Sequence, residues 1–278
     1  MGETLTIIEV VEILKAIIFG FIQGVTEWLP VSSTGHMILL NEFLPLRQSN
    51  EFMELFFVVI QFGSILAVPL LYWKRMVPWA LKGGFRLKPD ILLLWGKIVV
   101  ACIPAGVAAL LWNDEINNLF YHPYVVVIML IVVGILFLVV EARKREPVVH
   151  TAVELTWRAA LWIGFFQMIA AVLPGTSRSG ATIIGALMIG VSRIAAAEFT
   201  FIMAVPVMVG ASLFKILQFG WELTWVEAVI LLTGMIVAFL VSLLVIQGLM
   251  NFIKKHSFKI FGWYRIGLGI VMAMYLLT

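Results

Sequence analysis

The sequence predicts an all-α fold, a polytopic membrane helical bundle built as an inverted-topology repeat, with two re-entrant helical hairpins and six transmembrane helices. Composition is the first observation behind it. Of 278 residues, 62% are hydrophobic and 13% charged, against about one-quarter charged in a soluble domain, and mean hydropathy is +1.06. Internal likeness is the second. Laid over itself at a shift of 144, the chain places Ala16, Gly20, Phe21, Gln23, Leu29, Pro30 and Ser33 on identical residues Ala160, Gly164, Phe165, Gln167, Leu173, Pro174 and Ser177. The third is punctuation: in each half an apolar run is cut by a proline, Pro30 or Pro174, and a short apolar run follows. No polar linker divides the halves, so the chain reads as one integral membrane domain, repeat 1 covering about 1–145 and repeat 2 about 146–278.

The first run, 10–29, stops at Pro30, and the next, 34–44, is too short to cross a hydrocarbon core that needs about 20 helical residues. The two read as half-helices of a re-entrant hairpin with a polar tip. Such backbone is tolerated at membrane depth only where protein or a water-filled cavity covers it. Full spans follow at 54–73, 91–112 and 123–141. The pattern restarts with 156–173, a proline break and the short run 180–191, then spans at 195–219, 224–248 and 258–277. Three crossings per half is an odd number, so the second half sits inverted and its hairpin enters from the opposite face.

Orientation follows from the excess of Lys and Arg in cytoplasmic loops. Lys74, Arg75, Lys82, Arg86, Lys88, Arg143, Lys144, Arg145, Arg158, Arg193, Lys254, Lys255 and Lys259 fall on one side; Lys15, Arg47 and Lys215 fall on the other, with Asp114 and Glu115. Both termini are therefore expected on the outer side. Lys97 and Arg265, near the cytoplasmic starts of their spans, are expected to snorkel toward water. The N-terminus lacks the basic region and short apolar core of a cleaved signal peptide. The lone Cys102 excludes an intrachain disulfide and reads as an inert buried thiol. His122, His150 and His256 lie near span ends and are expected to be solvated, and the net charge of +3 gives no sign of a nucleic-acid partner.

Polar groups at membrane depth are functional suspects by default, and they gather in two stretches, QGVTEWLPVSSTGH at 23–36 and QMIAAVLPGTSRSGAT at 167–182. At the shift of 144, Glu27 meets Ala171, Thr34 meets Arg178 and His36 meets Gly180, so one half brings an acid and an imidazole and the other a guanidinium. Ser32, Ser33 or Thr34 can N-cap the second half-helix, as Thr176 or Ser177 can in the other repeat. Two half-helix N-termini aimed at one cavity also make an anion site. Arg178 needs a partner: either internal pairing with Glu27 or bidentate recognition of a phosphate. Gln23 and Glu27, four apart, share a helix face; Gln23 can alternatively hydrogen-bond its counterpart Gln167. Glu27 can serve as general base, as partner of Arg178 or as a magnesium ligand. His36, three after Ser33, is placed to activate that hydroxyl or to act itself, or else is a satisfied core group. Glu54, Gln61 and Glu198 are candidates for supporting or headgroup contacts.

These motifs resemble those of the bacterial undecaprenyl diphosphate phosphatases of the bacitracin-resistance family. The first family signature, Glu or Gln, three residues, then Glu, is matched by Gln23 and Glu27 and runs into Pro30, Ser32, Ser33, Thr34 and His36; the second, PGxSRSxxT, is matched by Pro174, Gly175, Ser177, Arg178, Ser179 and Thr182. Length, span pattern and flanking text extend the resemblance over nearly the whole chain. It implies a hydrolase of the plasma (inner) membrane, its active site opening outward. The reaction is removal of the terminal phosphate of undecaprenyl diphosphate, a polyprenyl diphosphate lipid, which recycles the carrier for peptidoglycan and other envelope polymers and confers bacitracin resistance. Glu27, Ser33, His36 and Arg178 become the expected catalytic residues, and Gln23, Ser32, Thr34, Ser177, Ser179 and Thr182 the expected substrate contacts. Gln at position 23, which the pattern allows, leaves Glu27 as the acidic ligand there for the Mg2+ or Ca2+ that the family uses.

Three rivals are weighed. An inverted-repeat transporter or flippase of an anionic lipid would use the same half-helices without chemistry, but needs no nucleophile. A type-2 phosphatidic acid phosphatase carries a histidine six after its arginine, where this chain has Ile184. An intramembrane serine hydrolase would leave Arg178 without a task. Surrounding membrane lipids are expected partners, and a homodimer is a further expectation: Gly262, Gly267 and Gly269 permit close helix contact, whether between copies or internally.

Overall fold

The computed structural model describes residues 6–80, 86–120, 122–143, 146–219 and 223–277. The expected cytoplasmic Lys82, Lys144 and Arg145 lie outside them, as does the side chain of Asp114. In chain order the elements are α1 (Ile7–Thr26), α2 (Ser33–Phe43), α3 (Asn50–Met76), a two-residue antiparallel pair β1 (Trp79–Ala80) and β2 (Arg86–Leu87), α4 (Pro89–Phe120), α5 (Pro123–Ala142), a single 3-10 turn (Ala152–Glu154), α6 (Trp157–Val172), α7 (Arg178–Met188), α8 (Arg193–Phe219), α9 (Trp225–Ile253) and α10 (Lys259–Leu276).

The starts of these helices are written in the sequence. Thr6 with Glu9 and Thr224 with Glu227 form capping boxes at α1 and α9, each satisfying backbone N–H groups that a helix leaves unpaired at its first turn. Ser49 and Thr156 cap α3 and α6, and Pro123 opens α5 with a φ already set for a helix. Among the described residues five helices, α3, α4 as far as Trp112, α5, α8 and α9, are long and apolar enough to cross a membrane, so the chain is an all-α, multi-pass membrane bundle. The sixth expected span, α10, has 18 residues and carries Lys259 and Arg265. The 16 residues of α6 reach only about 24 Å at 1.5 Å per residue, short of the roughly 30 Å core.

Packing exchanges elements between the halves. α1 lies against α9, α6 against α4, α3 against α8 and α9, and α5 against α10. The identities Gly20 and Gly164 mark two of these seams: a Cβ on Gly20 would stand 2.4 Å from the Gly234 carbonyl oxygen, and one on Gly164 2.4 Å from that of Ala101. In the α5–α10 seam, a Cβ on Gly134 or on Gly262 would stand 2.8 Å from the other's carbonyl oxygen. Gly269 meets Ile131 while Gly267 faces open space, so of the three glycines open to either use, Gly262 and Gly269 serve internal packing. The largest buried cluster centres on α8, with Phe199, Phe201 and Ile202 against Trp28, Ile183 and Ile184.

Two salt bridges tie one end of the bundle, Arg193 to Glu141 at 2.5 Å and Arg75 to Glu198. Lys97 donates there to the Val153 carbonyl at 2.7 Å. At the other end Lys215 pairs with Glu54 at 2.5 Å, and Lys15 reaches Glu12 and the Pro45 carbonyl. His122, His150 and His256 are exposed, as expected, and Cys102 is half-buried.

Candidate active site

α1 ends at Thr26, four residues before the proline expected to stop it. Thr26 Oγ1 donates back to the Ile22 carbonyl at 2.7 Å, and the chain turns through residues 27–32. In the second half Gly175, at φ +87°, carries the turn, and a Cβ there would meet the Val126 backbone at 2.7 Å; only glycine fits. Both turns finish in the same unusual way. Ser32 and Ser177 hold φ of +73° and +70°, the left-handed region that non-glycine residues seldom enter. Each N-caps the following short helix, accepting from Gly35 N at 3.3 Å and Gly180 N at 3.2 Å. Strain of this kind persists only where the surroundings over-determine it and clusters at functional sites.

These caps correct the register read from the sequence. Ser32 and Ser177 stand 145 positions apart (32 to 177), not 144, because the second turn has one more residue between proline and cap. Ser33 and Arg178 thus occupy equivalent places, each opening its short helix, and Gly35, not His36, corresponds to Gly180.

Glu27 is the centre of the site, 8% exposed. Its Oε2 accepts from Gln23 Nε2 at 2.8 Å and from Ser33 Oγ at 2.9 Å; its Oε1 accepts from Arg178 Nη2 at 2.7 Å. Ser179 Oγ donates to the Glu27 backbone carbonyl at 3.3 Å and lies 3.2 Å from Ser177 Oγ. The acid of one half is thus joined to the guanidinium of the other, as the internal-pairing alternative anticipated. Arg178 Nη1 keeps no partner. A cavity of about 280 Å3 opens over this group, lined by Glu27, Ser33, Thr34, Ser177, Arg178 and Ser179 together with residues of α3, α4, α6 and α8. The three long helices on that wall each carry an internal proline, Pro69, Pro104 and Pro206, and each proline deletes one helical hydrogen bond.

The other expected site residues are placed differently. His36 does not face Ser33: its Nδ1 meets the Ser32 carbonyl at 2.8 Å and its Nε2 the Tyr264 hydroxyl at 2.7 Å, and it does not line the cavity. One helical turn brought it near in sequence, but the fixed direction of the ring carries it to α10. Thr182 is fully buried, its hydroxyl donating to the Arg178 carbonyl at 2.8 Å and meeting Thr200 Oγ1 at 2.9 Å; it braces Arg178 and does not reach the cavity. Ser32 is buried as a cap, and Gln23 is spent on Glu27 and not on Gln167. Gln61 lines the cavity, whereas Glu54 and Glu198 are engaged in ion pairs at the two ends.

Arg265 overturns the expectation of snorkelling and is the residue that sequence reasoning missed. It is fully buried and donates to the Pro30 carbonyl at 3.2 Å, the Gly175 carbonyl at 2.7 Å and, on α5, the Met129 and Leu130 carbonyls at 3.2 and 3.4 Å. One side chain thereby fastens both proline turns. An arginine deep in an apolar span, with no acid at helical spacing, was the available signal.

A divalent cation does not fit the donor set by itself. Among the described residues no three His, Cys, Asp or Glu side chains converge. Glu27 is the one carboxylate on the cavity, and both its oxygens already accept hydrogen bonds, one from a guanidinium that would repel a cation. Mg2+ and Ca2+ ask for six or more oxygens.

Fold and site together define a polytopic membrane protein in which a hydroxyl, a carboxylate and a guanidinium meet in one cavity between two proline-broken helix pairs. The chain belongs to the family described as bacitracin resistance protein BacA, which it matches over residues 16–271. Among its relatives are the undecaprenyl-diphosphatase of Desulfitobacterium hafniense, 56% identical over 95% of this chain and 96% of its own, and undecaprenyl-diphosphatase 1 of Clostridium acetobutylicum, 53% identical over 97% and 99%. An undecaprenyl-diphosphatase of Enterococcus faecalis is 51% identical over 96% and 98%.

Proposed function

We propose that the protein is a plasma-membrane phosphatase that hydrolyses undecaprenyl diphosphate to undecaprenyl phosphate and inorganic phosphate. It would so recycle the carrier lipid for envelope polymers and confer bacitracin resistance. The observation that carries the chemistry is the hydrogen bond from Ser33 Oγ to Glu27 Oε2, a nucleophile already aimed at a base. Ser33 Oγ attacks the terminal phosphorus as its proton passes to Glu27. The Ser33 O–P bond forms while the P–O bond to the carrier phosphate breaks. That carrier phosphate leaves as an oxyanion without needing an acid, because the second ionisation of a phosphate ester lies near pH 6. Water then attacks the phosphoserine; the freed Ser33 oxygen recovers the proton from Glu27, and the water's proton goes to solvent. Arg178 Nη1, Thr34, the Ser177 and Ser179 hydroxyls and the N-termini of α2 and α7 hold the charge on the equatorial oxygens, since phosphoryl transfer is mostly positioning and electrostatics. His36 positions Ser32 and α10 in this scheme, and Mg2+ or Ca2+ would arrive as counter-ion of the diphosphate, with no step assigned to it.

The inverted repeat and its two re-entrant hairpins belong to the same reading. Supporting them is the exchange in which α1 packs on α9 while α6 packs on α4. An outward-opening site is supported by the wall residues. Val58 and Gln61 lie in the first half of α3, and Val207 and Ser212 in the second half of α8, both away from the basic ends that the charge rule puts in the cytoplasm. A homodimer through α10 would use the Gly267 face. The transporter alternative gives the Ser33–Glu27 bond no task. Phosphate release from undecaprenyl diphosphate by the purified protein in detergent tests the proposal: wild type should turn over and Ser33→Ala should lose at least about 100-fold, the order of one lost catalytic contact. Wild type that released no phosphate with Mg2+ or Ca2+ supplied would bring the transporter forward, and an active Ser33→Ala would end the serine mechanism.

A further inference from the structure

The cavity contains a second polar group that the proposed chemistry leaves unused. Gln167, on α6, is 2% exposed and lines the cavity, and neither its Nε2 nor its Oε1 has a hydrogen-bond partner. The Cys102 thiol lies near it but is at best a weak donor and leaves both amide N–H bonds unanswered. A buried amide in that condition costs about 1–3 kcal/mol unless something answers it.

Comparison of the two halves shows what is missing. In α1, Gln23 gives its amide N–H to the carboxylate four residues on, Glu27. In α6, the residue four after Gln167 is Ala171, which is exposed and also lines the cavity. The second half therefore keeps the donor and has lost the anion, and a void stands where the carboxylate would be. Arg178 Nη1, likewise unpartnered, and the Ser177 and Ser179 hydroxyls line the same space. Beside them the wall is apolar and small, with Ala105, Ala170 and Ala171.

We infer that Gln167 and the gap at Ala171 form a subsite for the second phosphate of the substrate, the inner one esterified to the lipid, taking the place of the carboxylate that pairs with Gln23 in the other half. This rests on the phosphatase reading above. The terminal phosphorus then sits at Ser33 and the inner phosphate at the Gln167 amide, the two N–H bonds of Arg178 Nη1 bridge both phosphates, and the prenyl chain leaves along the alanine wall. The subsite makes the protein a reader of diphosphates, not of phosphate monoesters, because only a two-phosphate ligand fills both places. A site built to hydrogen-bond a group rejects ligands that leave its buried donors unanswered.

Two readouts test it separately from turnover of the reaction itself. Calorimetric binding of methylenediphosphonate and of methylphosphonate is measured on wild type, Gln167→Leu and Ala171→Glu. Wild type should prefer the diphosphonate. Gln167→Leu should lose about tenfold in diphosphonate affinity, roughly one good hydrogen bond to a charged group, with methylphosphonate affinity held. Ala171→Glu, at an exposed position that tolerates the larger side chain, should pair with Gln167 and abolish the diphosphonate preference. In hydrolysis, Gln167→Leu should raise KM for undecaprenyl diphosphate about tenfold, with the larger share of the loss in KM and not in kcat. No preference in wild type, or the same preference in all three proteins, would overturn the subsite. Should wild type show the Gln167-dependent preference yet release no phosphate, the subsite stands and the phosphatase reading falls.

Discussion

Replacing Arg265 with methionine should loosen both proline turns at once. The side chain donates four hydrogen bonds to backbone carbonyls, and two of them, to Pro30 at 3.2 Å and Gly175 at 2.7 Å, are the ones that fix the turns. Hydrogen bonds from a charged donor contribute about 1.5–3 kcal/mol each, so the loss at the turns is about 3–6 kcal/mol before any relief. Relief exists, because methionine removes a buried cation that has no acid beside it. A net loss of about 3 kcal/mol is expected on that balance. The functional loss should be larger in proportion, since Ser33 and Arg178 stand directly after the turns and a misplacement of about 1 Å can cost about 100-fold in rate. Lysine should not rescue, because an ammonium lacks the planar fork that reaches carbonyls on two turns and α5 together. Thermal unfolding followed by tryptophan fluorescence, with phosphate release on the same preparation, checks both parts. An Arg265→Met protein that melted and turned over like wild type would refute the account of how the turns are held.

Other expectations are read from the same contacts. Gly20→Ala and Gly164→Ala should each destabilise the bundle by about 1–3 kcal/mol, since both Cβ atoms would fall 2.4 Å from a carbonyl oxygen; Gly267→Ala, with nothing within 4 Å, should melt at or slightly above wild type. Tyr264→Phe should lose about 1 kcal/mol for its one hydrogen bond to His36, and His36→Ala about 2 kcal/mol for two, to Ser32 and to Tyr264, and both should keep turnover far above that of Ser33→Ala. A His36→Ala protein as inactive as Ser33→Ala would return the histidine to the reacting group.

Much of this was legible in the sequence. Apolar period and proline punctuation located the helices of the described residues, because a membrane span has to satisfy its backbone internally and so announces itself by length and hydropathy, although α4 and α9 run on to Phe120 and Ile253, past the ends expected at 112 and 248. The pairing of Glu27 with Arg178 was one of the alternatives that the two polar stretches offered. What escaped was what a one-residue difference in a turn, or the direction of a side chain, decides. An ungapped alignment put Ser33 over Ser177, whereas the extra residue before the second cap sets Ser33 over Arg178. His36 is one helical turn from Ser33, yet its ring is captured by Tyr264, 228 positions away. Arg265 was expected to snorkel because sequence shows the apolar span around it but not which carbonyls a neighbouring turn leaves unpaired.

The central claim is that one site is shared between the two halves through Glu27 and Arg178. A double-mutant cycle on phosphate release from undecaprenyl diphosphate, with Glu27→Gln, Arg178→Met and the two combined, tests it most directly. Residues that act as a unit are strongly non-additive. Each single change should cost about 100-fold or more, and the pair should be no more than about tenfold worse than the poorer single variant. Losses that simply multiplied, to about 10,000-fold, would mean that the two groups work independently and that the shared site is wrong.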